Sequence, residues 1–254
     1  RSIRIATKCG LRWDDSRGEH FFRTEAARLG PVDVKRDLRP ESVRLECERS
    51  LRRLGVDCID LYQCHWPDPS TPIAETMGEM LRLLDEGKIR AVGVSNFSVT
   101  QLEQARAALG GVPLASDQPR YSALDRRIEA DVLPWCQQAG VATLAYSPLG
   151  QGLLTGRVGL DRRFPEGDRR GELPAFSPEG RSRVLAALAS LEDLRSAKGC
   201  TFAQLAIAWT VAQPGLTAAI VGARDARQAA ENAAATQVSL SPQELLRFGR
   251  AWDL

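Results

Sequence analysis

Apolar runs of strand length recur along the chain and alternate with stretches whose apolar positions repeat every three or four residues. The runs are IRIATKCG (3–10), CIDLYQCHW (58–66), IRAVGVSNF (89–97), VPLASDQPRYS (112–122), VATLAYSPLG (141–150) and LTAAIVGA (216–223). They carry Val, Ile, Ala and Leu on both faces, which predicts strands covered on both sides. Between them RPESVRLECERSLRRLG, PIAETMGEMLRLLDEGK, SVTQLEQARAALG, RRIEADVLPWCQQAG and DARQAAENAAA have helical period. Ser98 and Asp225 stand where N-caps are needed, and Gly55, Gly87, Gly110 and Gly140 follow the last turns. The repeating unit is β-loop-α, six strands in all, and right-handed crossovers then give a parallel sheet, open or closed into a barrel. Residues 151–215 hold no strand, only a polar loop and two helices, RSRVLAALASLEDLRSAKG and FAQLAIAWTVAQ; SPQELLRFGRAWDL forms a last helix. No linker or low-complexity tract interrupts 1–254, which reads as one domain.

Composition changes this picture little. The 254 residues are 43% hydrophobic and 26% charged, ordinary for a globular chain. Lys+Arg at 34 against Asp+Glu at 32 leaves +2, too balanced to predict a nucleic-acid or membrane partner. The clusters RRIEAD (126–131) and GDRRGE (167–172) carry acids beside their arginines and read as solvated surface. Six scattered cysteines with no CxxC spacing, and no long apolar stretch, predict reduced thiols in a cytoplasmic protein. The chain enters its first strand directly after Arg1, so the expectation is that upstream residues have been lost.

Candidate chemistry gathers at the carboxyl ends of the strands: Lys8, His65, Ser95 with Asn96, Gln118, Tyr146 with Ser147, and Arg224. Open sheets and barrels both place ligands on that side. Alternation puts Ile59, Leu61, Gln63 and His65 on one face, and Arg4, Ala6 and Lys8 on another. If both faces point to a common axis, Lys8 and His65 converge at its mouth. Each has a plain alternative taken singly, a snorkelling lysine and a core histidine, but six polar strand ends in succession make coincidence a poor account.

TKCG, LYQCHWPD, GKIRAVGVSNF, DQPRYS, AYSPLGQGLL and IVGARDARQAAEN, in this order and at these strand positions, resemble the aldo-keto reductase family along essentially the whole chain. The resemblance implies an α/β fold, a TIM (β/α)8 barrel with only about six of its eight strands, the first two missing. It also implies NADP(H) bound without a Rossmann fingerprint. GQGLLTG (150–156) has one residue too many for such a fingerprint and lacks the following acid.

By the same resemblance, Lys8 and His65 match catalytic residues: the lysine that lowers a tyrosine's pKa and the histidine that hydrogen-bonds the substrate oxygen. Ser95, Asn96 and Gln118 match the groups that hold the nicotinamide carboxamide, and Tyr146 the ring that stacks on it. Ser147, Leu149, Gln151 and Gly152 match a pyrophosphate loop. Gly222, Ala223 and Arg224 match the site for the 2′-phosphate, and Gln228, Glu231 and Asn232 the adenine end. Trp13 and Trp66 are candidate pocket walls. The family's DTA…Y stretch is missing: Tyr62, Tyr121 and Tyr146 all belong to later strands, so the proton donor and the lysine's aspartate partner are both absent.

The implied activity is NADP-dependent reduction of aldehydes, ketones or sugar carbonyls, with the chain as given inactive alone. The expected partner is a small carbonyl substrate, with neither nucleic acid nor membrane, on a monomer or weak homo-oligomer. The alternative is an NADP(H)-binding regulatory subunit of the potassium-channel β-subunit type. A metal-dependent barrel enzyme lacks its ligands in this sequence.

Overall fold

The computed structural model describes residues 3–26, 30–165 and 167–253, the side chains of Ala26 and Arg169 excepted. Arg1, and Leu254 at the end of the predicted last helix, lie outside the described residues. The chain divides into two compact units: Arg1–Pro119 with Pro134–Thr143, and Arg120–Leu133 with Leu144–Leu254.

In the first unit strands β1 (Ala6–Cys9), β5 (Leu61–Cys64), β6 (Val92–Val94), β7 (Leu114–Asp117) and the first residues of β8 (Ala142–Tyr146) lie side by side in that order. All these pairings are parallel, and the register sets Lys8 opposite Gln63, Gln63 opposite Gly93 and Gly93 opposite Ser116. Parallel neighbours need crossovers, and α1 (Pro40–Leu54), α2 (Ile73–Asp85) and α3 (Val99–Ala108) supply them. Their ends follow local rules. Ser98 Oγ accepts from Gln101 N at 3.4 Å while Gln101 Oε1 accepts from Ser98 N at 2.9 Å, a capping box. Gly55, at φ 62°, turns α1 off in the left-handed region. The unit's core is apolar and closed: Ile59, Met77, Met80, Leu83, Val92 and Leu102 are wholly buried.

Nine strands are present among the described residues where the pattern predicts six. The additional three, β2 (Leu11–Arg12), β3 (Glu19–Ala26) and β4 (Gly30–Arg36), form an antiparallel sheet in the order β2-β4-β3. Little of β3 is buried, and a bulge between His20 and Phe22 breaks its alternation, so no clean period marks it in the sequence. The strand expected over 112–122 shortens to Leu114–Asp117, because Pro119 has no N–H to extend the ladder.

The second unit contains the end of β8 with β9 (Leu216–Ile220) as its neighbour, and helices α5 (Pro178–Ser190), α6 (Glu192–Ala197), α7 (Phe202–Val211), α8 (Ala226–Ala233) and α9 (Pro242–Arg250). Helix α4 (Val132–Ala139) begins here and ends in the first unit. One helix is predicted over 181–199, but Leu191, buried and at φ −106°, divides it into α5 and α6. The core is aromatic: Tyr121 stacks on Trp209 with centroids 5.9 Å apart, Phe248 and Trp252 complete the group, and Trp209 Nε1 donates to Leu245 O at 3.0 Å.

Candidate active site

The carboxyl ends of β1 and β5 bring Lys8 and His65 into the same neighbourhood. Their strands pair in register, and His65 N donates to Cys9 O at 2.9 Å. Burial, then the nearby positive charge of Lys8, lowers the His65 imidazole to about 4. The ring is therefore neutral near pH 7 and carries one N–H and one bare nitrogen. Burial also lowers the Lys8 ammonium. The two side chains are close enough to act on each other, as the alternation predicts.

Beside them lies a chain of buried amides and hydroxyls. Gln63 Nε2 donates to Val94 O at 3.2 Å and to Ser116 Oγ at 3.3 Å, and Gln63 Oε1 accepts from Gln118 Nε2 at 3.1 Å. Ser95 Oγ donates to Gln118 O at 2.6 Å; Asn96 Nδ2 donates to His65 O at 3.1 Å and to Ser95 Oγ at 3.0 Å. The room comes from Gly93, where an added Cβ would lie 2.4 Å from Ser116 Oγ and 2.9 Å from Gln63 Cγ. Ser95, Asn96 and Gln118, predicted together, are joined in this network. Gln63 is the member sequence reasoning left unassigned, although its place on the His65 face was visible.

Asp117 is the second residue missed. It is wholly buried, with the peptide N–H groups of Phe97 and Gln118 and the Cys136 thiol near its carboxyl, and neither oxygen has a well-formed hydrogen bond. Burial pushes it up to about 7. No signal in the sequence separates it from an exposed strand-end aspartate.

Two of the three tyrosines are unsuited to donating a proton at a site. The Tyr62 hydroxyl donates to Val43 O at 3.0 Å inside the core, and the Tyr121 hydroxyl to Glu129 Oε1 at 2.5 Å. Burial raises both phenols. Tyr146 closes β8, half-buried. Trp66 packs on Phe21 at 5.2 Å between centroids, with the Arg36 guanidinium 5.1 Å from the same ring, whereas Trp13 is 54% exposed.

The second unit holds a cavity of about 560 Å³, the size of a site for a nucleotide-sized ligand. Ser147, Leu149, Gln151, Gly152, Gly222, Ala223, Arg224, Gln228, Glu231 and Asn232 all line it. Every residue expected at the pyrophosphate and adenosine positions thus surrounds one space. Asp225 caps α8, its carboxylate accepting from Gln228 N at 2.7 Å, and Arg224 N donates to Gln228 Oε1 at 3.1 Å. Asn232 Nδ2 ties back to Gly222 O at 3.1 Å.

Sequence reasoning missed three further arginines on this wall, Arg157, Arg162 and Arg170. The reading of GDRRGE as solvated surface is corrected here. Arg170 is held by Asp168, its guanidinium sits 5.2 Å over Phe164, its side chain is 27% exposed, and it faces the cavity. Arg157 pairs with Glu231 at 3.4 Å across the wall. Four arginines against one glutamate give a basic lining that fits a phosphate-bearing ligand.

Backbone strain marks the same places. Among the described residues three non-glycine residues have positive φ: Asn96 (62°), Ser147 (58°) and Gln151 (55°). All three are predicted site residues, at the ends of β6 and β8 or in the turn after β8. Such conformations cost on the order of 1–3 kcal/mol each and collect where ligands are held.

Parallel strands alternating with helices, with polar side chains at their carboxyl ends, define an α/β fold of the TIM-barrel type. The chain belongs to the aldo/keto reductase family, whose pattern matches residues 1–253. It is 38% identical over 240 residues to the NADH-specific methylglyoxal reductase of Escherichia coli K12, covering 93% of this chain and 70% of that protein. It is 40% identical over 221 residues to the aldo-keto reductase YhdN of Bacillus subtilis 168, covering 87% of this chain and 61% of that one. Among solved structures it resembles the glycerol dehydrogenase AKR11B4 of Gluconobacter oxydans, with TM-score 0.86 and 37% identity over 98% of this chain and 71% of that one. The thermostable aldo-keto reductase Tm1743, solved with the inhibitor epalrestat, gives 0.68 and 31% over 84% and 67%. Among the described residues no helix is long and apolar enough to cross a membrane.

Proposed function

We propose that this chain binds NADP(H) and serves the reduction of aldehydes, ketones or sugar carbonyls to alcohols. When bound, the cofactor supplies the hydride. The chain's residues bind, orient and polarise. Arg224, with the basic cavity lining, takes the adenosine phosphates; Ser95, Asn96 and Gln118 take the carboxamide; Tyr146 faces the nicotinamide ring. His65, neutral because burial and Lys8 depress it, donates its N–H to the substrate oxygen and so stabilises the alkoxide as it forms. Lys8 adds positive charge beside it. Trp66 walls the substrate pocket.

Tyr62 and Tyr121 are unsuited to the proton transfer, being tied into cores with raised phenols, and Tyr146 is assigned here to the nicotinamide ring. Residues 1–254 alone are expected to oxidise NADPH negligibly with an aromatic aldehyde, and brisk turnover would overturn that part.

The observation that carries the reading is the single basic cavity shared by all ten residues matched to the phosphate and adenosine positions. Arg224 favours NADP as the cofactor, in contrast to the NADH of the E. coli relative's name. Calorimetric titration tests it: NADPH should bind roughly tenfold or more tightly than NADH, and Arg224→Ala should bring the two within a few-fold. Equal affinities in the parent chain would assign the site to NAD instead.

A further inference from the structure

Gln63, on β5, reaches Val94 on the neighbouring strand β6 and Ser116 and Gln118 on or just after β7, two strands away, and its geometry fixes more than its own position. Its Nε2 meets Val94 O, a carbonyl that can only accept. That contact settles which end of the Gln63 amide is nitrogen. Both N–H groups then go to Val94 O and Ser116 Oγ, so Oε1 can only accept, and what it accepts is a proton of Gln118 Nε2. The orientation is passed on. With Nε2 turned toward Gln63, the other branch of the Gln118 amide is Oε1, an acceptor. Val94 O also takes the Gln118 peptide N–H at 2.9 Å, so one backbone carbonyl pins both glutamines.

We propose that Gln63 is a positioning residue that sets the polarity of Gln118, so that the site shows a hydrogen-bond acceptor to a ligand carrying a primary carboxamide. This rests on the reading that Gln118 meets the nicotinamide end of the cofactor. The burial of Gln63 is complete and that of Gln118 nearly so, which keeps water from substituting for either partner. An apolar side chain at 63 removes the constraint: Gln118 is then free to rotate its amide and offer nitrogen instead. A merely structural Gln63 would affect stability and leave ligand choice alone.

The test is selectivity between NADPH and its reduced 3-acetylpyridine analogue, which keeps the ring and carbonyl but has no N–H to donate. Fluorescence titration of the full chain should show NADPH favoured by at least about tenfold. In Gln63→Met, close in volume, that preference should fall to within about twofold. Adenosine 2′,5′-bisphosphate, read by the second unit, should bind the variant as it binds the parent, and a cooperative thermal melt should certify that the first unit, which holds Gln63, is folded. Ser116→Ala, a smaller change, should lower the preference part of the way if Gln63→Met proves unstable.

Retention of the full preference in both variants would overturn the relay and leave cofactor binding intact. No preference in the parent chain would overturn the assigned orientation of Gln118. Failure of the parent to bind either dinucleotide would overturn the relay together with the cofactor reading.

Discussion

The two units handle polarity in opposite ways. In the first, polar side chains are joined to one another: buried Gln63, Ser116, Gln118 and Ser95, with half-buried Asn96, occupy a lattice whose room is set by Gly93. In the second, arginines border an open cavity and are held by partial ion pairs such as Arg157–Glu231 and Arg170–Asp168. A buried network gains orientation at the risk of large losses when one member changes. A solvated basic wall gains affinity and on-rate, and each member is worth little alone. Substitutions in the first should therefore cost stability, and in the second, affinity.

The largest effect is expected at Gly93. A methyl group there collides with Ser116 Oγ and Gln63 Cγ inside a packed sheet, so Gly93→Ala should destabilise by about 3 kcal/mol and lower Tm by roughly 6–12 °C for a chain of this size. An unchanged melting curve would show that the lattice is looser than described.

Asp117 comes next. Its folded pKa of about 7 lies above the ordinary carboxylate value, so the folded state holds a proton that the unfolded state has released. Stability is therefore full below about pH 4 and declines as pH rises toward 7. Asp117→Asn should be more stable than the parent at pH 8 by on the order of 2 kcal/mol, and the gain should vanish at pH 4. Urea melts at the two pH values check it.

His65 should do the reverse on a smaller scale. Its pKa is depressed to about 4, so the unfolded state takes the proton first, and stability falls as pH drops from about 6.5 toward 4. Removing the imidazole, as in His65→Gln, should flatten that slope by about 1 kcal/mol, the ring being partly exposed. The smallest effect belongs to the open wall. Arg162→Ala should leave Tm unchanged and weaken NADPH binding only a few-fold, with a shallower salt dependence.

Legibility in the sequence follows the same division. Helix limits were readable because caps are local: Ser98 with Gln101, and Asp225 with Gln228, sit within three residues of what they satisfy. Strand-end placement was readable from alternation, which put His65 and Lys8 where they act on each other. The cavity residues at 147–152 and 222–232 came from the resemblance to the aldo-keto reductase family, and all ten line one cavity. Arg157, Arg162 and Arg170 were illegible because a loop's path over a surface depends on contacts far away in sequence. The burial of Asp117 was likewise hidden, since nothing within DQP tells an inward from an outward carboxylate. The β2–β4 sheet escaped notice because half-exposed strands with a bulge carry no period.

The proposed site for the phosphorylated adenosine end of the cofactor is the basic cavity of the second unit. It is tested most directly by titrating 15N-labelled protein with adenosine 2′,5′-bisphosphate and following backbone amide shifts. Saturable shifts are expected, concentrated at Ser147–Gly152 and Gly222–Asn232 and reduced in Arg224→Ala. Saturation with shifts elsewhere, or no shift in either segment, would contradict it.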